Sequence, residues 1–108
     1  MQKYDAFRSR RLLDSARGQS CQNCDADDGT IVAAHSNSAE HGKGKSIKAA
    51  DCFVAYLCFR CHGWLDQGTG ADPTGIWSDS EGDKKEMWRK ANDRTLHLMF
   101  KQGIVKVA

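Results

Sequence analysis

Two cysteine pairs of identical spacing, Cys21-Gln-Asn-Cys24 and Cys58-Phe-Arg-Cys61, constrain this chain more than any other feature. Each spacing lets both thiolates of a tight turn face one ion, so two such knuckles make one tetrahedral Zn²⁺ site. Residues 25–57 separate them, more than in a simple zinc ribbon, and a strand, a loop and a second strand fill the gap. A chain of 108 residues fits one domain, read here as residues 1–108. A domain of that size buries only about two-thirds of its unfolded surface, so a metal staple is a useful supplement to its core. Disulfides are the competing use of the cysteines. The first residues, MQKYDAFRSRRLL, carry no apolar run of signal-peptide length, and no stretch of about 18 apolar residues offers a membrane span. The expectation is therefore a cytoplasmic protein without a membrane partner, in which paired cysteines bind zinc. Cys52 is left over and reads as a small buried residue.

The elements around the knuckles read as follows. Residues 3–17 are rich in helix formers, with Ala6, Phe7, Leu13 and Ala16 as an apolar face and Gly18 as the stop. Thr30–His35 is β-branched and apolar and predicts a strand ending at His35. Residues 36–51 predict a long loop, and loops of that length in small domains tend to be functional. Phe53–Leu57 predicts a second strand and residues 61–67 a short helix ended by Gly68. Ser78-Asp-Ser-Glu81 matches a capping box for a helix over 79–102, with Met87, Trp88, Ala91, Thr95, Leu98 and Met99 at helical spacing. Gly103 then precedes a short terminal strand, Ile104–Val107. The fold class is α+β, with a core over about 18–70 and a helix on either side.

A Cys₄ site is closed and has no position for a substrate. Other ligand-type residues lie beside it. His62 follows the last knuckle at once, and Asp66 lies one helical turn on, so the two share a face and could grip a second ion. His35 ends the strand that the zinc ties to this helix. Strand, loop, strand and short helix around one ion is the ββα-metal architecture, a treble-clef-like arrangement.

On the segments CQNC, VAAHSN and LCFRCH, with GIVKVA at the end, the chain resembles the HNH nucleases that carry a paired-knuckle zinc. It is most similar to the small phage and prophage nucleases of the YbcO type. The resemblance implies metal-dependent hydrolysis of phosphodiester bonds, with His35 as the base that takes a proton from water. It makes His62, and Asp66 four residues on, ligands of a catalytic Mg²⁺, Mn²⁺, Ni²⁺ or Zn²⁺. The sequence departs from the family at Ala34, where an acidic or histidine ligand is common, and at Phe53, near the expected asparagine. His35 is then itself a candidate metal ligand, and Asn37, His41 or Asp51 would supply orientation, a third ligand or the base. The chemistry is consistent with these residue types: a histidine titrates near pH 6.5, and a cation offsets charge on the phosphate and leaving oxygen.

Net charge is only +2, so composition does not establish a nucleic-acid partner. The distribution suggests one: Lys43, Lys45 and Lys48 lie in the glycine-containing loop and are expected to follow the DNA backbone. Two other classes of function compete with the nuclease. One is a zinc-dependent nucleic-acid-binding module without catalysis; the other is an interaction module of a phage recombination or replication complex, anchored by Trp77 and Trp88. Trp64 and both of these tryptophans are expected to act chiefly in packing, and His97 to lie on a helix surface. A homodimer would suit double-strand cleavage, although no residue demands one.

Overall fold

The computed structural model describes residues 6–44 and 47–107. In chain order it contains α1 (Arg10–Asp14), β1 (Val32–His35), a 3₁₀ turn (Ala39–His41), β2 (Val54–Leu57), α2 (Phe59–Gln67) and α3 (Glu81–Lys101). The α+β class is as the sequence suggests. β1 and β2 pair antiparallel, with Val32 opposite Leu57 and His35 opposite Val54.

β2 is buried along its whole length, whereas in β1 only Ala34 is buried. The cause is α3, which covers β2 and also satisfies its free edge. Thr95 Oγ1 accepts from the Tyr56 amide at 2.9 Å, and Asn92 Nδ2 donates to the Val54 carbonyl at 2.8 Å. The Gln22 amide donates to the Tyr56 carbonyl at 2.8 Å. Paired in this way, the edge offers no ladder for another strand to join. Trp64, Tyr56, Leu57, Met87 and Met99 are the largest fully buried side chains, and Trp88 reaches through to the Ala34 carbonyl at 3.0 Å.

Three elements differ from the sequence expectation. The N-terminal helix expected over 3–17 is confined to residues 10–14 where it is described, residues 1–5 lying outside the described residues. Ser9 caps it, accepting from the Leu12 amide at 3.1 Å, and residues 7–9 instead run along residues 48–51. The cap of α3 is Ser80, two residues beyond the expected Ser78: its hydroxyl accepts from the Asp83 amide at 3.1 Å, while the Asp83 carboxylate accepts from the Ser78 amide at 2.7 Å. Ile104 and Val105 form no strand. Gly103 turns the chain at φ 72°, and both following amides donate to the Met99 carbonyl, closing the helix end and laying their side chains against the core. Among the described residues, no helix is long and apolar enough to cross a membrane.

Candidate metal centre and active site

The four knuckle cysteines converge. One ligand atom from each of Cys21, Cys24, Cys58 and Cys61 lies within 4.8 Å of every other, and the Cys24 and Cys58 sulfurs are 3.6 Å apart. A tetrahedral ion with Zn–S bonds of about 2.3 Å places its sulfurs roughly 3.8 Å apart, so the cluster fits such a metal. A hydrogen bond from Cys61 holds Cys21 down at about 5, burial drives Cys24 up to about 11, and the proton given to Cys21 pushes Cys61 strongly upward. A dication bound among them would favour the thiolate form of its ligands.

The side chains around the cluster face inward as well. Asn23, inside the first knuckle, donates to the Cys61 sulfur at 3.2 Å and to Asp72 at 2.8 Å, and accepts from the Trp77 indole at 3.1 Å. Asp72 is buried and also takes the amides of Thr74, Ile76 and Trp77 and the Thr74 hydroxyl. Burial raises its carboxyl, and these donors outweigh that, holding it below the usual range. Cys58 is the N-cap of α2, but its side chain makes no capping bond. Thr30 from the entry to β1 supplies the missing acceptor, its hydroxyl taking the Phe59 amide at 2.9 Å.

At the other end of the same unit stand the histidines. His62 and Asp66 lie one turn apart on α2 with Nε2 and Oδ2 at 2.7 Å. Asn37 donates to the second Asp66 oxygen at 2.9 Å, so α2 folds back until its later half meets the loop that leaves β1. Asp66 raises His62 above its ordinary value, chiefly through that hydrogen bond. Burial acts to raise Asp66, yet bonds from His62 and Asn37 and the charge of Lys43 hold it low.

His35 ends β1 as expected, two residues before Asn37. Its Nε2 lies 2.8 Å from Asp51 Oδ1. Asp51 is 4% exposed and receives two further donors: the Ser9 amide on Oδ2 at 2.7 Å and Arg8 Nη1 on Oδ1 at 3.2 Å. Burial opposes its ionisation, and the bonds from His35, Ser9 and Arg8 together hold its carboxyl below the usual range. A carboxylate accepts only, so the imidazole nitrogen facing it carries the hydrogen, and in the neutral ring the lone pair is then on Nδ1.

No family model matches the chain, and no curated protein matches it. Among solved structures, it is similar to a "putative bacteriophage protein from Escherichia coli str. K-12 substr. MG1655". The two share 25% identity and a TM-score of 0.56, over 84% of this chain and 98% of that one.

The remaining candidates separate. His41 is half-buried, its Nδ1 2.7 Å from the buried Ser36 hydroxyl and its ring stacked on Phe53 at 4.2 Å, so it braces the loop beside His35. Lys43 turns back, donating to the Gly44 carbonyl at 3.0 Å near Asp66; Lys48 is exposed; Lys45 lies outside the described residues. Cys52 is half-buried rather than buried and stands apart from the sulfur cluster. The tryptophans pack and His97 is exposed, as anticipated. Arg8, Ser9, Asn23 and Asp72 are the residues that sequence reasoning missed. Ser9 carried a signal in its position three residues before Leu12, the spacing of an N-cap; the other three meet partners too distant in sequence for any local pattern to reveal.

Proposed function

We propose that the protein is a metal-dependent HNH-type endonuclease that hydrolyses phosphodiester bonds in nucleic acid, with DNA as the substrate, in a bacteriophage setting. The observation that carries this reading is the Asn37–Asp66 bond, which brings the carboxylate-held His62 to the hairpin end where His35 stands on Asp51. On this reading the hairpin and α2 are a ββα-metal unit stapled by zinc at Cys21, Cys24, Cys58 and Cys61. The similarity to the bacteriophage protein supports the setting.

His35 is suited to general-base work. Asp51 fixes the Nε2–H tautomer and would stabilise the imidazolium formed when Nδ1 takes a proton from water. His62 Nε2 and Asp66 Oδ2 face each other closely enough to share one ion. Among the described residues no third His, Cys, Asp or Glu completes a cluster there. That donor set fits an exchangeable divalent ion completed by water and substrate oxygens, not a closed cage. When bound, such an ion supplies charge to offset the phosphate and leaving oxygen. Asn37 orients Asp66, and His41 holds the connecting loop through Ser36 and Phe53.

A non-catalytic zinc-dependent binding module is the competing reading. It is favoured by the mutual pairing of both histidines with carboxylates and by Ala34, buried at 1% and without a ligand atom. Nicking of supercoiled plasmid with added Mg²⁺, Mn²⁺, Ni²⁺ or Zn²⁺ decides between them. The nuclease reading expects metal-dependent nicking that is lost in His35→Ala and His62→Ala proteins whose structural zinc is intact. Nicking retained in both variants, or absent with every metal, rejects it.

A further inference from the structure

Two open grooves meet at Arg10. The first, of about 640 Å³, includes Arg8, Arg10, His35, Ile47, Lys48 and Asp51 in its walls. The second, of about 650 Å³, includes Arg10, Arg11, Asp14, Gln102 and Ile104. Their cationic residues differ in how far their charge is already used. Arg8 gives its guanidinium to Asp51 and to the carbonyls of Lys48 and Ala49. Elsewhere Arg89 is paired with Glu86 and Asp93, and Arg94 bonds the Gln22 carbonyl. Arg10, Arg11 and Lys48 are exposed, and among the described residues their side chains make no ion pair or hydrogen bond.

We infer that Arg10, Arg11 and Lys48 form a phosphate-tracking face that leads the backbone of duplex DNA across the groove in which His35 stands. The inference rests on the proposed hydrolase for the nature of the substrate. Of the two carboxylates in these walls, only Asp14 is exposed. Asp51 is buried beneath Arg8, Ser9 and His35, and Asp14 lies 4.0 Å from Arg17. The face differs from the lysine loop expected from sequence, because Lys43 is turned toward Gly44 and Asp66 and α1 supplies the arginines instead. An acidic protein is the less suitable occupant. Protein interfaces gain most from aromatic anchors seated in pockets, and among the described residues neither groove is lined by Phe, Tyr or Trp. Backbone contacts of this kind attract DNA irrespective of its sequence and release counterions on binding.

The test is fluorescence anisotropy of a labelled DNA duplex with the zinc-loaded full chain, without added divalent ions, over a series of salt concentrations. Arg10→Ala, Arg11→Ala and Lys48→Ala should each weaken binding and each reduce the slope of log affinity against log salt by about 1. Arg89→Ala, on a paired arginine of α3, should leave the slope unchanged. Among the described residues these three side chains make no ion pair or hydrogen bond, so zinc content and circular dichroism should match the parent. Unchanged slopes in all three variants overturn the inference, as does displacement of the DNA by poly-glutamate at equal charge concentration. A parent protein that binds DNA with the expected slopes but never nicks plasmid supports this face while rejecting the hydrolase.

Discussion

The cysteine end and the histidine end share one element, α2, which carries Cys61 as well as His62 and Asp66, yet they are made to opposite specifications. At the cysteine end, Cys21, Cys58 and Cys61 are at most 1% exposed, and Asn23, Asp72 and Trp77 close a second ring around them. At the histidine end the His62 and Asp66 side chains remain 37% and 35% exposed. A saturated site cannot take a substrate, and an open pair of side chains cannot hold a small fold together. Placing the two at opposite ends of one short unit lets the closed site hold the backbone from which the open one projects.

The largest effect should come from breaking the closed end. Cys58→Ser is expected to lose zinc and cooperative folding altogether, since structural zinc contributes on the order of 10 kcal/mol, comparable with the whole stability of a small domain. Zinc content and a thermal melt by circular dichroism would show it; His62→Ala should retain both, and a His62→Ala protein that unfolds would erase the contrast. Next in size is Asp72→Ala. It strips the acceptor from Asn23, Ile76 and Trp77 in a buried place, at a cost of about 2–4 kcal/mol in urea unfolding. Zinc should still bind, and the Asp66–His62 pairing should be undisturbed. A loss of less than about 1 kcal/mol would mean that the second ring is ornament around a self-sufficient metal site.

The smallest effect lies at the open end and depends on pH. His62 is raised by Asp66, so the pair's contribution is complete below the ordinary histidine value of about 6.5 and is lost as pH rises through the higher folded value. Asp66, held low, stays ionised across that window. Both side chains are about one-third exposed, which limits the contribution to less than about 1 kcal/mol. The difference in melting temperature between the parent and Asp66→Asn, without added divalent ions, should be greatest near pH 6 and fade toward alkaline pH. A gap that widened with pH would contradict the assigned pairing.

What was legible from sequence was what local spacing encodes. The two knuckles, the strand ending at His35 and the shared face of His62 and Asp66 each lie within one turn or one strand. The buried positions of α3 follow a helical period for the same reason. The brace around the metal and the clamp on Asp51 were not legible, because their bonds span long stretches of chain: Asn23 to Asp72, and Ser9 to Asp51. Helix propensity over residues 6–9 was real but lost to that clamp: the Ser9 amide and the Arg8 guanidinium donate to Asp51 and the 48–49 carbonyls, and the Phe7 carbonyl, which a longer α1 would use, accepts from the Asp51 amide. The β propensity of Ile104 and Val105 lost likewise, to the two amide bonds that close α3.

The strand of bonds from residues 7–9 to Asp51 gives the molecule two separate stabilities. The Asp51 amide donates to the Phe7 carbonyl at 2.8 Å, and together with the Ser9 and Arg8 contacts this is a short seam that includes none of the four clustered cysteines. Peeling it away would free the carboxylate that orients His35 while the core around the four cysteines stayed intact. Segments held by few bonds open at a small fraction of the cost of global unfolding, and their amides exchange with solvent accordingly. The orientation of His35 therefore has an equilibrium constant of its own, set by Phe7, Arg8 and Ser9 and not by the cysteine cluster.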